Sequence, residues 1–466
     1  MLQYFRINDP YRLLGLLAIF LLINLPHFID TPDLTFPELK SFIVGEKVHE
    51  GNALYTELVD SVGPLSAWFD AFLQICFGRS ILARHLVAFI IIFLQASYIG
   101  IIFSNQKAFA EATYIPALIY AIAISFSFDT LSLTPELLAA GALLPALNNL
   151  FKEIEFREQR HETVFNIGLY ISLASLFAFS YSVYIIGAII TLAVFTRTTV
   201  RKYILLSVGF ALPHLLLIAV YYLKDGLSDL WQFYYQPNFI VSSTRYISNG
   251  SLWILLMLPL VFLVISLFLM NREARLSKYQ TQLVQSMFFW MIFSFVEVWY
   301  SKDFRPQNFI PLIPAFSFFI THCILILPRK KFAEISIWVL LLGTVLINYL
   351  ARYNAIDGVN YKGLFVPAAE APYSGKRLLV LDESLSIYRN NRLASPFLNW
   401  QLAKGVFSHP EYYDNIIRVY EGIKADPPEV IRDKNDLLKP FMDRLPELKK
   451  LYTRKGAYYI LNTASK

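Results

Sequence analysis

The stretch ARHLVAFIIIFLQASYIGIIF, residues 83–103, decides the class of this protein. An α-helix needs about 18 or more consecutive, mainly apolar residues to cross the roughly 30 Å hydrocarbon core of a bilayer. This run meets that requirement, and similar runs recur on both sides of it along the chain. The sequence therefore predicts an integral membrane protein that crosses the bilayer many times.

The composition supports the same prediction. Of the 466 residues, 56% are hydrophobic and 16% are charged, whereas soluble domains carry roughly 25% charged residues. The net charge of +6 comes from Lys and Arg placed between the apolar runs, not on one basic face, so no nucleic-acid partner is expected. Cys76 and Cys323 both lie in apolar segments, which predicts two buried thiols and no disulfide framework.

We expect about eleven transmembrane helices. The apolar runs place them at residues 11–29, 83–103, 112–128, 134–150, 165–180, 182–196, 203–222, 252–270, 283–300, 308–327 and 333–350. Segment 64–77 is also apolar but is short for a span, and it suits a helix lying in the membrane interface. If it crossed the bilayer instead, every later span would be inverted.

The distribution of basic residues predicts the orientation. Alternate loops are rich in Lys and Arg, which is typical of cytoplasmic loops. These loops include Arg6, Arg12, Lys107, Lys152, Arg201, Lys202, Arg272, Lys278, Arg329, Lys330 and Lys331. The opposite loops are poor in them. The N-terminus is therefore expected inside the cell and residues 351–466 outside it.

Two domains are predicted, and the fold class is mainly α. Residues 1–350 form the multi-span domain, with a long outer loop at 30–82. Residues 351–466 carry frequent charges, and short apolar stretches in them predict strands near 377–383, 429–433 and 457–462. Helical patterns cover 410–424 and 436–451. The tail is therefore predicted to be a small α/β domain on the outer side of the membrane.

The outer loop 30–82 is acidic. Its carboxylates include Asp30, Asp33, Glu38, Glu46, Glu50, Glu57, Asp60 and Asp70. Long ordered loops are usually functional, and this one is also strongly acidic. The alternative is a solvated loop whose charges only follow the topology.

The order of motifs resembles the membrane-embedded GT-C glycosyltransferases, the superfamily of the protein mannosyltransferases and the bacterial lipid A aminoarabinose transferases. In the first loop an acidic residue opens a helix, and Gly51, Tyr55, Gly63-Pro64-Leu65, Phe77-Gly78 and Arg84 follow in the family's order. Residues 132–136 (SLTPE) are similar to the second outer loop of the family. Arg305, with Pro311 and Pro314 after it, is similar to the entry to a late span.

The resemblance implies an enzyme that takes a sugar from a polyprenyl-phosphate donor to an envelope glycan, lipid or protein acceptor. It implies a location in the bacterial inner membrane, with the C-terminal domain in the periplasm. A carboxylate would act as general base on the acceptor, and cations would stabilise the leaving phosphate. The candidate residues for binding substrate or lipid phosphate are Arg84, Arg305, Asp60, Asp129 and Glu136, together with Glu297, which is chosen because it is ionisable and lies inside a span.

The sequence departs from the family at several of these positions. Phe36 or Pro37 stands where the family has its catalytic Asp, which leaves Asp33 and Glu38 as the candidate catalytic residues. The first loop has Ser61-Val62-Gly63-Pro64-Leu65 in place of the family's Lys-Pro-Pro-Leu. Thr134 matches the acidic residue of the second loop. A GT-C-fold protein without transferase activity, acting as a structural or interaction component of the envelope, is therefore the alternative.

Several candidates also have ordinary explanations. Arg84 could be an interfacial arginine that extends to the head groups. Arg305 could only pair with Asp303. Glu297 lies near the outer end of its span, and this interfacial depth weakens the argument that an ionisable residue inside a span is functional. No metal spacing is recognised, so we assign no metal, although a divalent ion is compatible with the family. A transporter or secretion component remains a third class.

Overall fold

The computed structural model describes the chain except residues 157–160, 197–198, 242, 274–275, 369–372, 395 and 463–466. In chain order its α-helices are α1 (Leu2–Phe5), α2 (Arg12–Ile29), α3 (Phe36–His49), α4 (Pro64–Phe77), α5 (Ile81–Asn105), α6 (Ile115–Ile124), α7 (Pro135–Phe156), α8 (His161–Phe177), α9 (Tyr184–Phe195), α10 (Val200–Leu223), α11 (Leu227–Leu230), α12 (Gln236–Phe239), α13 (Asn249–Glu273), α14 (Lys278–Tyr300), α15 (Ile313–Ile326), α16 (Lys330–Arg352), α17 (Trp400–Ser408), α18 (Tyr413–Ala425), α19 (Lys439–Arg444) and α20 (Pro446–Leu451).

The strands are short. They are β1 (Thr244–Arg245), β2 (Asp303–Phe304), β3 (Arg377–Val380), β4 (Arg392–Leu393), β5 (Val430–Arg432), β6 (Tyr452–Lys455) and β7 (Tyr458–Leu461). Tighter 3₁₀ turns occupy Phe128–Leu131, Phe179–Val183, Pro306–Leu312 and Leu385–Arg389, and a π-helical turn occupies Trp231–Tyr235.

Seven helical segments in the described part of the chain are long and apolar enough to cross a membrane. They are α2, α5, α10, α13, α14, α16 and the continuous segment Pro306–Ile326 that contains α15. The other four predicted spans coincide with α6, α7, α8 and α9. The prediction of a mainly α, polytopic membrane protein is therefore confirmed.

The chain divides into two compact units. Unit 1 comprises Met1–Pro32, Ser80–Leu217 and Val241–Leu364, and unit 2 comprises Asp33–Arg79, Ile218–Ile240 and Phe365–Lys466. The boundaries of these units do not fall at residue 350. The division into domains 1–350 and 351–466 stays a prediction.

Unit 1 is a helical bundle. Among the seven long apolar segments, Pro306–Ile326 is the most enclosed, with 89% of its most apolar stretch buried. Helices α8 and α10 cross closely at two glycines. A Cβ atom on Gly168 would lie 2.1 Å from the carbonyl oxygen of Leu206, and one on Gly209 would lie 2.2 Å from that of Phe165. Small residues at crossings of this kind let membrane helices approach each other.

Unit 2 contains a five-stranded sheet in the order β4-β3-β5-β7-β6. Strands β4, β3 and β5 are parallel, and β7 and β6 are antiparallel to their neighbours. The strands predicted near 377–383, 429–433 and 457–462 are β3, β5 and β7. The helix predicted at 410–424 is α18, whereas Pro446 divides the one predicted at 436–451 into α19 and α20, because proline cannot continue a helix with an intact backbone hydrogen bond.

The helix predicted at 64–77 is α4. Its residues correct one prediction: Cys76 is exposed, and only Cys323 is buried. The apolar neighbours of Cys76 suggested burial, but the end of α4 exposes apolar side chains, with Ile75 65% exposed and Phe77 45% exposed.

Candidate functional site

Arg305 lies in unit 1, between β2 and the 3₁₀ turn Pro306–Leu312. Its backbone is extended because a residue before proline avoids the helical conformation. The β1–β2 pairing fixes the preceding residues by matching Arg245 with Phe304. The Arg305 side chain is completely buried. A buried guanidinium must be paired, so its partners decide what it can do.

Those partners are two carboxylates and a hydroxyl. One terminal nitrogen of Arg305 donates to Asp129 Oδ1 at 3.1 Å. The other donates to Thr134 Oγ1 at 2.7 Å and to Glu136 Oε2 at 2.8 Å. The backbone N–H of Gln307 donates to Asp129 Oδ2 at 3.0 Å. We call these five residues the Arg305 cluster.

The Arg305 cluster has one cation for two carboxylates. Burial by itself disfavours the charge on Arg305, but Asp129 and Glu136 outweigh that effect and hold its pKa above the ordinary value. Of the guanidinium nitrogens, Nε has no hydrogen-bond partner among the described residues. These bonds favour a role in positioning the two carboxylates, and phosphate binding by Arg305 stays a prediction.

Glu297 lies on α14 in the same unit and is fully buried. Its Oε1 accepts a hydrogen bond from Ser180 Oγ at 2.6 Å, and its Oε2 has no partner among the described residues. The neighbouring Tyr181 donates its hydroxyl to the carbonyl oxygen of Glu136 at 3.0 Å. A polar layer therefore runs from the Arg305 cluster into the bundle. The binding role predicted for Glu297 stays a prediction.

Arg84 lies near the N-terminus of α5, where Ser80 caps the helix by accepting a hydrogen bond from the N–H of Ala83 at 3.3 Å. Arg84 is 1% exposed and His85 is 2% exposed. An arginine that extends to the head groups keeps its guanidinium at the surface. The burial of Arg84 is the opposite of that, and it favours a specific role inside the protein.

In unit 2, Glu38 forms a capping box at the start of α3. Its Oε2 accepts hydrogen bonds from the backbone N–H of Thr35 at 3.1 Å and from Thr35 Oγ1 at 2.8 Å. In return Thr35 Oγ1 accepts from the N–H of Glu38 at 3.4 Å. Asp33 is exposed, two residues before the cap. Glu38 therefore has a structural role, which its spacing of three residues from Thr35 indicates. The catalytic role predicted for Asp33 and Glu38 stays a prediction.

Asp60 is fully buried in unit 2 and has a partner that sequence reasoning missed. Its Oδ1 accepts from the N–H of Val62 at 2.8 Å and lies 3.0 Å from Lys40 Nζ. Its Oδ2 has no hydrogen-bond partner among the described residues. The Lys40 side chain is 34% exposed. No spacing in the sequence indicated this partner.

The two other cations of the outer loop connect α3 to the tail. Arg79 Nε and NH2 donate to the carboxylate of Glu46, each at 2.6 Å, and Arg79 also donates to the carbonyl of Tyr388 at 2.9 Å. Lys47 Nζ lies 2.6 Å from Asp426 Oδ2. Ion pairs therefore hold α3 against the C-terminal part of unit 2.

The aromatic segment after α10 packs against the outer loop. Tyr55, which has a left-handed backbone with φ of 66°, stacks on Tyr234 at 5.3 Å between ring centroids. Asn238 donates to the carbonyl of Ser61 at 3.0 Å. Tyr234 is completely buried. These contacts are those of a packed segment, with Trp231 and Phe239 left exposed at its surface.

The described residues contain no group of three or more His, Cys, Asp or Glu that could hold a metal ion. Metal dependence stays a prediction.

Comparisons with known proteins identify the fold. No family model matches the sequence, and no curated protein matches it. The structure of ArnT from Cupriavidus metallidurans bound to undecaprenyl phosphate is similar at a TM-score of 0.55 and 13% identity, over 97% of this chain and 98% of that one. Its apo form is similar at the same TM-score, over 96% and 97%. The Archaeoglobus fulgidus oligosaccharyltransferase is similar at a TM-score of 0.49 and 11% identity, over 98% of this chain and 75% of that one.

The similarity to ArnT extends over nearly the whole of both chains. The chain therefore shares the fold of ArnT, and the mainly α, polytopic, GT-C-like fold predicted from the sequence is confirmed.

Proposed function

We propose that this protein is a membrane glycosyltransferase that moves a sugar from a polyprenyl-phosphate donor to an acceptor of the cell envelope. The observation that carries the proposal is the full-length similarity to ArnT bound to undecaprenyl phosphate. The fold alone does not fix the chemistry. The residues of this chain must therefore supply a general base and a phosphate-binding cation.

The proposed general base is Asp33. It is exposed and accepts no hydrogen bond from the described residues, so its carboxylate is available to take a proton from an acceptor hydroxyl. Glu38 is the second choice because Thr35 already occupies its Oε2 with two hydrogen bonds. The fully buried Glu297 accepts from Ser180 and is not assigned a step.

The proposed phosphate ligand is Arg84. A buried arginine at a helix N-terminus combines a fixed charge with the positive end of the helix dipole, which favours an anion. Arg305 donates its terminal nitrogens to Asp129 and Glu136, and the role proposed for it is to hold these two carboxylates in place.

Binding of the donor lipid tests this assignment. Full-length protein in detergent is mixed with undecaprenyl phosphate, and bound lipid is counted by native mass spectrometry. We expect binding by the unaltered chain, a clear loss in Arg84→Ala and partial recovery in Arg84→Lys, because lysine lacks the planar fork. The exposed Arg245→Ala is the control and should bind normally. Equal binding by all four proteins would contradict the assignment.

The proposed location is the bacterial inner membrane, with the N-terminus in the cytoplasm and the tail in the periplasm. The Lys and Arg distribution of the loops supports it. A reporter that is active only in the cytoplasm, fused after Lys466, should be silent, and a strong signal would reverse the orientation.

A GT-C-fold protein without transferase activity is the second candidate, and two observations favour it. Phe36 or Pro37 occupies the position of the family's catalytic Asp. The surviving Glu38 is engaged in a capping box. Such a protein would bind the polyprenyl-phosphate carrier but would not transfer its sugar. The two candidate functions therefore differ in catalytic turnover and not in lipid binding.

A further inference from the structure

The connections between the strands of the unit 2 sheet reverse their direction between β3 and β5. The strand order is β4-β3-β5-β7-β6, so the chain leaves β3 towards β4 on one side and leaves β5 towards β6 on the other. Strands β3 and β5 are parallel neighbours, with Val380 opposite Arg432 in the register. In open α/β sheets a crevice forms at such a point, outside the carboxyl ends of the two strands, and ligands bind there. We call this place the β3–β5 crevice.

Arg432 is the last residue of β5, beside the crevice, and its hydrogen bonding is incomplete. The side chain is only 13% exposed. Its Nε is buried and has no hydrogen-bond partner among the described residues. A terminal nitrogen lies 3.6 Å from Asp382 Oδ2, which is too far for a hydrogen bond. Because buried polar groups are normally hydrogen-bonded, Arg432 keeps unused donors next to the crevice.

Asp382 follows β3 and supplies a hydrogen-bond acceptor at the same crevice. Its Oδ1 accepts from the backbone N–H of Ser384 at 2.8 Å, which fixes the carboxylate in the turn after the strand. Its Oδ2 lies towards Arg432. A carboxylate accepts several hydrogen bonds, so Asp382 can bind a further group. A donor and an acceptor from two neighbouring strands therefore stand side by side.

An aromatic ring lies on the same face of the sheet as Arg432. Tyr458 of β7 is directly opposite Arg432 in the antiparallel β5–β7 pair, and such residues have Cβ atoms about 4.5–5.5 Å apart on one face. The Tyr458 side chain is half-buried. The ring of Tyr373 packs edge-on against it, with the ring centroids 5.5 Å apart. An apolar ring surface therefore adjoins the donor and the acceptor.

The loop after β5 is held in shape by Asp433. Its Oδ1 accepts from the backbone N–H of Asn435 at 3.2 Å and of Leu437 at 3.0 Å, and its Oδ2 accepts from that of Leu438 at 2.8 Å. These bonds occupy the carboxylate and give it a structural role. A site whose backbone is fixed before the ligand arrives loses less conformational freedom on binding.

We propose that the β3–β5 crevice binds a neutral glycan. A sugar hydroxyl both donates and accepts, so adjacent hydroxyls match the carboxylate of Asp382 and the guanidinium of Arg432. The ring of Tyr458 offers an apolar surface to the C–H face of a sugar ring. An anionic ligand fits less well, because Asp382 and the exposed Glu383 both carry negative charge there.

The site itself does not depend on transferase activity, whereas the identity of the glycan as the acceptor rests on the proposed function. Among envelope glycans, lipids and proteins, the crevice then favours an acceptor that carries neutral sugars. Glycan binding without any sugar transfer would keep the site and remove the proposed function. Transfer by a protein whose crevice binds no glycan would keep the proposed function and remove the site.

Glycan binding by the full-length protein tests the proposal. The protein is placed in phosphatidylcholine nanodiscs, because maltoside detergents carry sugars of their own. It is applied to an array of neutral glucose, galactose, mannose and N-acetylglucosamine oligosaccharides, with uronic acid oligomers as charged probes. The variants are Arg432→Gln, Asp382→Asn and Tyr458→Ala. Arg454→Gln is the matched control, because Arg454 on β6 is one residue out of register with Tyr458 and lies on the other face of the sheet.

We expect the unaltered chain and Arg454→Gln to bind the same neutral probes. Arg432→Gln and Asp382→Asn should bind them about tenfold more weakly or worse, as when a hydrogen bond to a charged group is lost, and Tyr458→Ala should also bind more weakly. Thermal unfolding checks that each variant is folded, and Asp382→Asn carries the test if Arg432→Gln does not fold. Binding of uronic acid oligomers alone, binding of no probe, or equal binding by all five proteins would each overturn the proposal.

Discussion

The Arg305 cluster of unit 1 and the outer loop of unit 2 both hold buried charges, but they satisfy them differently. In the cluster, Arg305 donates to Asp129, Thr134 and Glu136, and its role is limited by those bonds. In the outer loop, Asp60 has an oxygen without a partner among the described residues, and Asp33 is exposed. An ionisable residue near a membrane surface is therefore a better catalytic candidate when its hydrogen-bonding atoms are not already occupied by protein partners.

The largest expected effect on stability belongs to Arg305. Arg305→Met leaves Asp129 and Glu136 buried without their cation, and breaking a buried pair in this way costs about 3–5 kcal/mol. We expect loss of folded protein in detergent, measured by thermal unfolding. Arg305→Lys should recover part of the stability, since lysine keeps the charge but not the fork.

The control for Arg305 is Arg245, an exposed arginine on β1. Arg245→Met should unfold within a degree or two of the unaltered protein, roughly as surface substitutions do. A normal unfolding temperature for Arg305→Met would show that the two carboxylates do not need it, and the contrast between the two regions would be lost.

Arg79 should have the next largest effect. Arg79→Ala removes a two-bond ion pair with Glu46 and the bond to the carbonyl of Tyr388, and we expect a loss of about 2 kcal/mol because its side chain is only partly exposed. Hydrogen exchange should rise in α3 and in residues 385–391. In a double-mutant cycle with Glu46→Gln, strictly additive losses would contradict a direct pair.

The capping box gives a smaller effect. Thr35→Ala removes the hydroxyl that accepts from the N–H of Glu38, and loss of such a cap costs about 1 kcal/mol. Glu38→Gln should be nearly neutral for stability, because glutamine also serves in a capping box. Thermal unfolding of both variants checks this. A loss of several kcal/mol from Glu38→Gln would mean that its charge, and not its hydrogen bonds, holds the loop.

Asp33 should matter least for stability and most for turnover. Asp33→Asn removes a charge from an exposed side chain, so unfolding should shift by less than about 0.5 kcal/mol. If Asp33 is the general base, the transfer rate should fall about 10²–10⁴-fold. Glu38→Gln serves as the matched control and should keep most of the activity. The opposite pattern would assign the base to Glu38.

The fold was predictable because its signals are local. Apolar runs long enough to span a bilayer predicted the helical bundle, and the spacing of Thr35 and Glu38 matches a helix start. The short helix α4 followed from its length and composition. Cys76 was misjudged because a membrane protein exposes apolar surface, so an apolar neighbourhood does not imply burial.

The partners of the site residues were not predictable, since they depend on long-range packing. Arg305 and Asp129 are 176 residues apart, and the sequence suggested Asp303 in place of Asp129 and Glu136. The Lys40–Asp60 pair joins α3 to the middle of the same loop, and no spacing rule predicts it. Periodicity locates helices, whereas ion pairs between distant segments appear only in three dimensions.

The most direct measurement follows the donor lipid. The full-length protein in vesicles is supplied with undecaprenyl-phosphate sugars of several classes and with envelope glycan, lipid and protein fractions as acceptors, and released undecaprenyl phosphate is measured. We expect release that requires both an acceptor and the unaltered Asp33. If the protein binds undecaprenyl phosphate but releases none from any donor, with any acceptor, it is a GT-C-fold protein without transferase activity and the proposed function is wrong.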